Sequence, residues 1–315
     1  MTPLRAWLLA SRPATLWAAV VPVVVGAGLA WGTSEDLPPQ AELAADSGES
    51  AAVIHGVFRI DVFLVTLLAA LAIQVAANLA NDASDARRGA DTPDRIGPPR
   101  VVAEGILNPR QVWIAVWVMF AIAATCGIYL AVVAGWVIIV IGVVSIAATL
   151  GYVGGPRPYG YMGLGELFVF VFFGVVATVG SRFVYDSSAP LSAWLLSVPV
   201  GFLVTAILVV NNIRDIDTDE RVGKRTLAVI LGRRRTAFLY DGLVYGAFLV
   251  IAIFATTGGT PPWTLLALAG LPIAFPLSRA VTSETEGPPL IAALKGTARL
   301  HLAVGVLLGL GSAVG

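Results

Sequence analysis

The chain alternates between long apolar runs and shorter polar connections. Runs of roughly 18 or more apolar residues, enough for a helix to cross a bilayer, lie near 14–31, 62–80, 112–131, 133–150, 164–185, 191–212 and 237–256. Two weaker runs follow, near 263–279, where Pro272 and Pro276 interrupt, and near 298–314, opening after Lys295 and Arg299. The pattern predicts an all-α integral membrane protein, a nine-transmembrane-helix bundle forming one domain over 1–315.

Three substantial polar connections, 81–111, 151–163 and 213–236, follow the second, fourth and sixth runs. An even number of crossings separates them, so all three emerge on one face, together with the N-terminus and the 280–297 connection. Of the 20 Lys and Arg residues, only Arg59 and Arg182 fall on the opposite face. The positive-inside rule makes the loop-rich face cytoplasmic, predicting a multi-pass cell-membrane protein whose active loops face the cytoplasm. The opposite-face connection 33–61 carries Glu35, Asp36, Glu42, Asp46 and Glu49 among Ala, Ser and Pro, and reads as a flexible acidic loop without chemistry. Trp17, Trp31, Trp113, Trp136, Trp194 and Trp263 sit near run ends, as interfacial anchors do.

Composition agrees with a lipid-solvated chain. Hydrophobic residues make up 57% and charged residues 13%, against roughly 25% charged for an average soluble protein, and mean hydropathy is +0.84. A net charge of zero gives no argument for nucleic acid as a partner. Cys126 is the sole cysteine and lies in an apolar run, so internal disulfides and cysteine-rich metal sites are excluded. The first run follows Arg5 and Arg12 like a secretory signal, but its length and the runs after it predict a retained helix. His55, in the acidic loop, and His301, in the last weak run, are poor catalytic candidates.

Chemistry concentrates at two run ends. The second run passes into Asn78-Leu-Ala-Asn81-Asp82-Ala-Ser-Asp85, and the sixth into Asn211-Asn212-Ile-Arg-Asp215-Ile-Asp217-Thr-Asp219. If the helices continue past the membrane surface, spacings of three and four residues put Asn78, Asn81, Asp82 and Asp85 on one face; Asn211, Asn212, Asp215 and Asp219 repeat the arrangement. Carboxylates this dense repel, and in a partly dry site a cation is needed to hold them ionised. Magnesium answers that need, since one or two protein carboxylates commonly hold it while substrate phosphate oxygens complete its shell. Two such half-sites on one membrane face suit a diphosphate, with Asn oxygens limiting negative charge where an anion must land.

Basic residues follow each cluster: Arg87, Arg88, Arg95 and Arg100 after the first, and Arg221, Lys224, Arg225 and Arg233 to Arg235 after the second. They can clamp phosphate oxygens and stabilise a departing diphosphate, although Arg110 and Arg233 to Arg235 are expected at that face for topology alone. In the 151–163 connection, glycines allow close backbone approach, while Tyr152, Tyr159, Tyr161 and Arg157 can line an aromatic pocket. Phe168, Phe170, Phe172 and Phe173 read as lipid-facing or packing residues.

Asn81-x-x-x-Asp85 and Asp215-x-x-x-Asp219 resemble the two signature motifs of the UbiA-type membrane prenyltransferases. Within that superfamily the chain is most similar to the branch that prenylates 1,4-dihydroxy-2-naphthoate in menaquinone biosynthesis. Ser11-Arg-Pro-Ala-Thr-Leu16, Gly89-Ala-Asp-Thr92 with Arg95-Ile-Gly-Pro98, Gly154-Gly-Pro-Arg-Pro158, Gly163-Leu-Gly-Glu166 and Gly223-Lys-Arg-Thr-Leu-Ala228 extend the likeness over nearly the whole chain. Gly89 stands where many members have a third Asp, with Asp91 two residues on, and the 33–61 connection is longer than the family needs.

The resemblance implies a nine-helix bundle around a cytoplasm-facing cavity, with two magnesium ions held by Asn81 and Asp85 and by Asp215 and Asp219. It places Arg12, Arg100 and Lys224 near the diphosphate, and makes Asp82, Asp91 and Asp217 second choices among the carboxylates. The expected catalytic set is Asp82, Asp217, Lys224 and Arg100. The expected substrate contacts are Arg12, Asn78, Asp91, Arg95, Tyr152, Arg157, Asn212 and Arg225. The implied substrates are a polyprenyl diphosphate and 1,4-dihydroxy-2-naphthoate, joined with loss of carbon dioxide, and the alternatives are a UbiA-type enzyme with another acceptor, such as 4-hydroxybenzoate, or a cation-coupled transporter. A transporter calls for charges near the bilayer midplane, whereas these acids gather at one face.

Overall fold

The computed structural model describes residues 2–32, 58–90, 97, 99–154, 158–283 and 287–315. The expected acidic 33–61 loop lies almost wholly outside the described residues, as do Asp91, Arg95 and Arg157. The described residues form no strand. In chain order the helices are α1 Pro3–Ala10, α2 Trp17–Gly32, α3 Ile60–Arg87, α4 Pro109–Ala134, α5 Val137–Val153 and α6 Gly165–Phe183. They continue with α7 Leu191–Arg214, α8 Ile216–Arg221, α9 Leu227–Leu231, α10 Arg233–Thr256, α11 Leu271–Ser283 and α12 Gly287–Val314. A 3-10 stretch, Pro262–Gly270, leads into α11.

Among the described residues, seven helices are long and apolar enough to cross a membrane. The expected nine needs two more: the bent pair Pro3–Thr15 and Trp17–Gly32, broken by 52°, and α5, an apolar helix of 17 residues. The first bend has a local cause. Arg12 adopts φ 49°, in the left-handed region, and Pro13 opens a 3-10 turn, so a short separate helix precedes the first span. The last helix also departs from expectation, starting at Gly287 rather than after Lys295 and Arg299. Pro288 and Pro289 lie in its first turn, where the missing N–H groups cost nothing.

Local signals set other ends. Asn108 caps α4 in a capping box with Gln111, ahead of Pro109. Gly135, at φ 93°, breaks the path between α4 and α5. α3 has 28 residues; at roughly 1.5 Å each it spans about 42 Å, well beyond a hydrocarbon core of about 30 Å. It is therefore longer than one crossing requires.

α7 is the central helix, with 72% of its apolar window buried against 28% for α3, and it packs against α2, α6, α10 and α12. Buried Leu196, Leu203, Val210 and Ile213 meet Tyr240, Ile251, Leu300 and Leu308 there. Small residues let neighbouring backbones approach closely. A Cβ on Gly28 would lie 2.1 Å from the Gly309 carbonyl oxygen, and one on Gly174 would lie 2.4 Å from Gly201 Cα. The first contact locks α2 to α12 and the second locks α6 to α7.

Candidate active site

The last turns of α3 carry the first acidic cluster, and tertiary contacts sort its members. Asn78 Nδ2 donates to the Ser11 carbonyl at 2.8 Å and to Thr15 Oγ1 at 3.0 Å, while Gln74 Nε2 donates to the Thr15 carbonyl at 3.2 Å. These bonds tie the bend around Arg12 to α3. Asp82 is 2% exposed and turns away from its neighbours: Oδ2 accepts the Val102 N–H at 3.2 Å, and Oδ1 lies 3.7 Å from Arg100. At about 100° per residue, Asp82 sits a quarter-turn from Asn81, which explains why the expected common face divides. Asp85 Oδ1 accepts the Tyr161 hydroxyl at 2.8 Å, and Oδ2 lies 3.4 Å from Arg100 Nη2.

The second cluster forms where α7 stops. Asp215 sits between α7 and α8 at φ −96°, ψ 6°. Arg214 grips its carboxylate through Nε at 2.7 Å and Nη2 at 2.6 Å. α8 then carries Asp219, whose Oδ1 lies 3.4 Å from Lys224 Nζ and whose buried Oδ2 has no hydrogen-bond partner among the described residues. Burial drives the Asp219 carboxyl up to about 6, against the pull of Lys224, with Asp215 and Asp85 pushing the same way. Burial alone would lower Lys224, but the combined field of Asp85, Asp219 and Asp215 outweighs it and holds the amine above its usual value.

Tyr161 joins the two clusters. Its hydroxyl serves Asp85, its ring lies beneath Lys224 at 5.2 Å and Arg88 at 5.5 Å, and its carbonyl accepts the Arg225 N–H at 3.1 Å. Burial raises the phenol well above its ordinary value, with Asp85 adding to the effect, so it remains a donor.

Arg12, Asn78, Asn81, Asp85, Arg100, Tyr152, Asn212, Asp215, Asp219 and Lys224 all line one cavity of about 340 Å³. From this polar mouth the cavity continues past Ile73, Phe172, Phe173 and Val176 to Leu130, Ile138 and Val184. Those last three sit at the opposite ends of α4, α5 and α6, so the cavity runs through the depth of the bundle.

Three expectations change. Asp82 does not line the cavity but anchors the 99–107 segment, as its inward N–H and Arg100 contacts require. Asp217 and Arg225 are solvent-exposed and off the cavity; the Asp217 side chain is 73% exposed with a 3.8 Å pairing to Arg233, because α8 presents Asp219 inward and Asp217 outward. Phe168, Phe172 and Phe173, read from sequence as lipid-facing or packing residues, line the cavity, whereas Phe170 packs on Gly201 and Phe202. Phe170–Val176 is a π-helical stretch within α6, which shifts the side-chain register away from that of an α-helix. Glu166 was quoted from sequence without a role; it is 6% exposed and accepts Asn212 Nδ2 at 2.8 Å. An acid opening an apolar span was the available signal.

No group of three or more His, Cys, Asp or Glu side chains close enough to hold a metal unaided occurs among the described residues. The donor set still fits magnesium, which needs few protein carboxylates when substrate phosphate and water supply other oxygens. Asp219 Oδ2, buried and without a hydrogen-bond partner, is the atom a cation would satisfy.

The model of the UbiA prenyltransferase family matches residues 47–296 of this chain. The 1,4-dihydroxy-2-naphthoate octaprenyltransferase of Mycobacterium tuberculosis is 36% identical over 299 residues, covering 94% of this chain and 93% of the relative. The enzyme of the same name from Escherichia coli is 32% identical over 313 residues, covering 98% and 94%. Among solved structures, a UbiA homologue from Archaeoglobus fulgidus bound to DMAPP and Mg2+ superposes with a TM-score of 0.61 at 13% identity, covering 96% of this chain and 98% of the other, a likeness of fold.

Proposed function

The chain belongs to the UbiA prenyltransferase family, and on that premise we propose that its cavity joins a polyprenyl group to 1,4-dihydroxy-2-naphthoate with decarboxylation, giving demethylmenaquinol. The observation that carries this reading is that Asp85 and Asp219, from helix ends far apart in sequence, line one cavity whose deeper walls are mostly apolar. A polar mouth suits a diphosphate, and the apolar continuation suits its isoprenoid tail.

Asn81 with Asp85, and Asp215 with Asp219, would each hold a magnesium ion. Bound there, magnesium supplies Lewis-acid stabilisation of the leaving diphosphate. Lys224, Arg100 and Arg12 add fixed positive charge at the same mouth, where excluded water makes it more effective. Lys224 stays protonated beside three carboxylates, and Tyr161 holds Asp85 from the far side. Departure of diphosphate leaves an allylic cation in the apolar section, walled by Phe168, Phe172 and Phe173, whose ring faces favour cations. The electron-rich naphthoate ring attacks that cation, and loss of carbon dioxide from the ring restores aromaticity. Asp82 serves by anchoring the 99–107 segment and Arg100, and Asp217 and Arg225 take no direct part.

The whole chain acts as one transmembrane domain, and the loops around the mouth face the cytoplasm, as their excess of Lys and Arg supports. The test is to supply membranes containing the protein with labelled polyprenyl diphosphate, 1,4-dihydroxy-2-naphthoate and magnesium. A prenylated, decarboxylated product that vanishes with chelator is expected. Turnover of 4-hydroxybenzoate in preference to the naphthoate overturns the acceptor, and turnover that survives chelation overturns the metal.

A further inference from the structure

Glu166 stands behind the cavity wall rather than on it. It occupies the first turn of α6 and is 6% exposed, and its Oε1 accepts Asn212 Nδ2 at 2.8 Å. Asn212 is 4% exposed and lines the cavity, which Glu166 does not. Oε1 meets Asn212 as an acceptor, so the contact decides which end of the Asn212 amide points inward. The amide's NH2 must face Glu166, and the carbonyl Oδ1 is directed away from it. Without the carboxylate the amide is free to turn over and offer NH2 to the cavity.

The neighbouring wall of the cavity is apolar and aromatic. Leu208, one turn before Asn212 and also on the cavity wall, packs at Gly165, where a Cβ would stand 3.4 Å from Leu208 Cδ2 and 3.6 Å from the Tyr152 hydroxyl. Gly160 fits equally closely under Tyr152, since a Cβ there would meet the ring at 3.0 Å. Tyr159 stacks on Phe168 with centroids 3.9 Å apart. Asn212 therefore belongs to the aromatic flank of the cavity, distinct from the charged flank formed by Arg100, Asp85, Asp219 and Lys224.

We propose that Glu166 is a positioning residue for the aromatic acceptor: it fixes the Asn212 amide so that Oδ1 accepts the ring hydroxyl of the phenolic substrate held against Tyr152 and Phe168. This rests on the prenyl-transfer reading of the cavity and adds how the acceptor's hydroxyl is recognised. Losing a correctly presented hydrogen bond to substrate costs about 1.4 kcal/mol, roughly tenfold in affinity.

The test is a double-mutant cycle on the full-length enzyme, with KM measured separately for acceptor and for prenyl diphosphate. Glu166→Ala and Asn212→Ala should each raise the acceptor KM about tenfold while the prenyl diphosphate KM stays within about twofold. The double variant should be no worse than Asn212→Ala alone, because Glu166 acts through Asn212. Additive losses, or equal changes in both KM values, overturn the proposal. If Glu166→Ala does not fold, the near-isosteric Glu166→Gln replaces it. A Gln amide can both donate and accept, so it keeps the contact but not its direction, and its effect should vanish in the Asn212→Ala background; an effect that persists there overturns the proposal. Wild type that ignores the naphthoate but prenylates another phenol overturns the substrate reading alone, and the cycle is then run with that phenol. Wild type inactive on every aromatic acceptor overturns both.

Discussion

Tyr161 donates its hydroxyl to Asp85 Oδ1 at 2.8 Å, joining residues 76 positions apart in the chain. The same tyrosine supports Lys224 on its ring and Arg225 through its carbonyl, so the 151–163 connection links the two acidic helix ends. Tyr161→Phe removes the donor and keeps the ring. A hydrogen bond to a charged group contributes about 1.5–3 kcal/mol, so kcat/KM should fall roughly ten- to a hundredfold with little change in melting temperature. Unaltered kinetics in a purified variant would show that Asp85 needs no such support.

Position relative to the cavity separates the acids. Asp85→Ala and Asp219→Ala should abolish transfer while the bundle still inserts and melts cooperatively. Asp217→Ala should keep nearly full activity and change stability by no more than about 0.5 kcal/mol, as exposed substitutions usually do, since its side chain is 73% exposed. Steady-state assays of the three variants check this, and an inactive Asp217→Ala with an active Asp219→Ala would reverse the assignment.

Metal and pH should be linked through Asp219. Its folded, metal-free carboxyl is raised from 3.8 to about 6 by burial. The folded chain therefore keeps a proton that the unfolded chain releases, and this contribution to stability is complete below about pH 4 and is lost as pH rises through 6. A bound divalent ion replaces the proton. Magnesium should raise the melting temperature only slightly at pH 5 and distinctly more at pH 7.5, as read by thermal unfolding in detergent. Equal stabilisation at both values would remove Asp219 from the metal site.

The α2 and α12 contact should tolerate no added methyl. With a Cβ on Gly28 only 2.1 Å from the Gly309 carbonyl oxygen, the two backbones must separate in Gly28→Ala. Overpacking of this kind costs about 1–3 kcal/mol, so the melting temperature should fall, whereas Gly142→Ala, with nothing within 4 Å of its Cβ, should be neutral.

Much of the fold is legible in the order of residues, because hydropathy and span length act over a few turns of helix. Helix continuity, on which the shared polar faces depend, holds from Asn78 to Arg87. It fails in the second cluster, where the helix breaks at Asp215 and Asp219 stands on α8. Inside the site, short spacing served Asn81 and Asp85 well and failed for Asp82, since Val102 and Arg100 draw its carboxylate off the common face.

By itself the sequence determined a membrane-spanning helical chain with two acid-bearing helix ends and a basic segment after each. Those properties depend on local composition and on the parity of crossings, which neighbouring residues settle. Only the tertiary structure decided that Tyr161 couples the clusters, that Phe172 and Phe173, within a π-helical stretch, and Phe168 ahead of it line the cavity, and that Glu166 backs Asn212. Each depends on contacts between helices distant in sequence or on a local change of helical register, and helical periodicity carries no information about either.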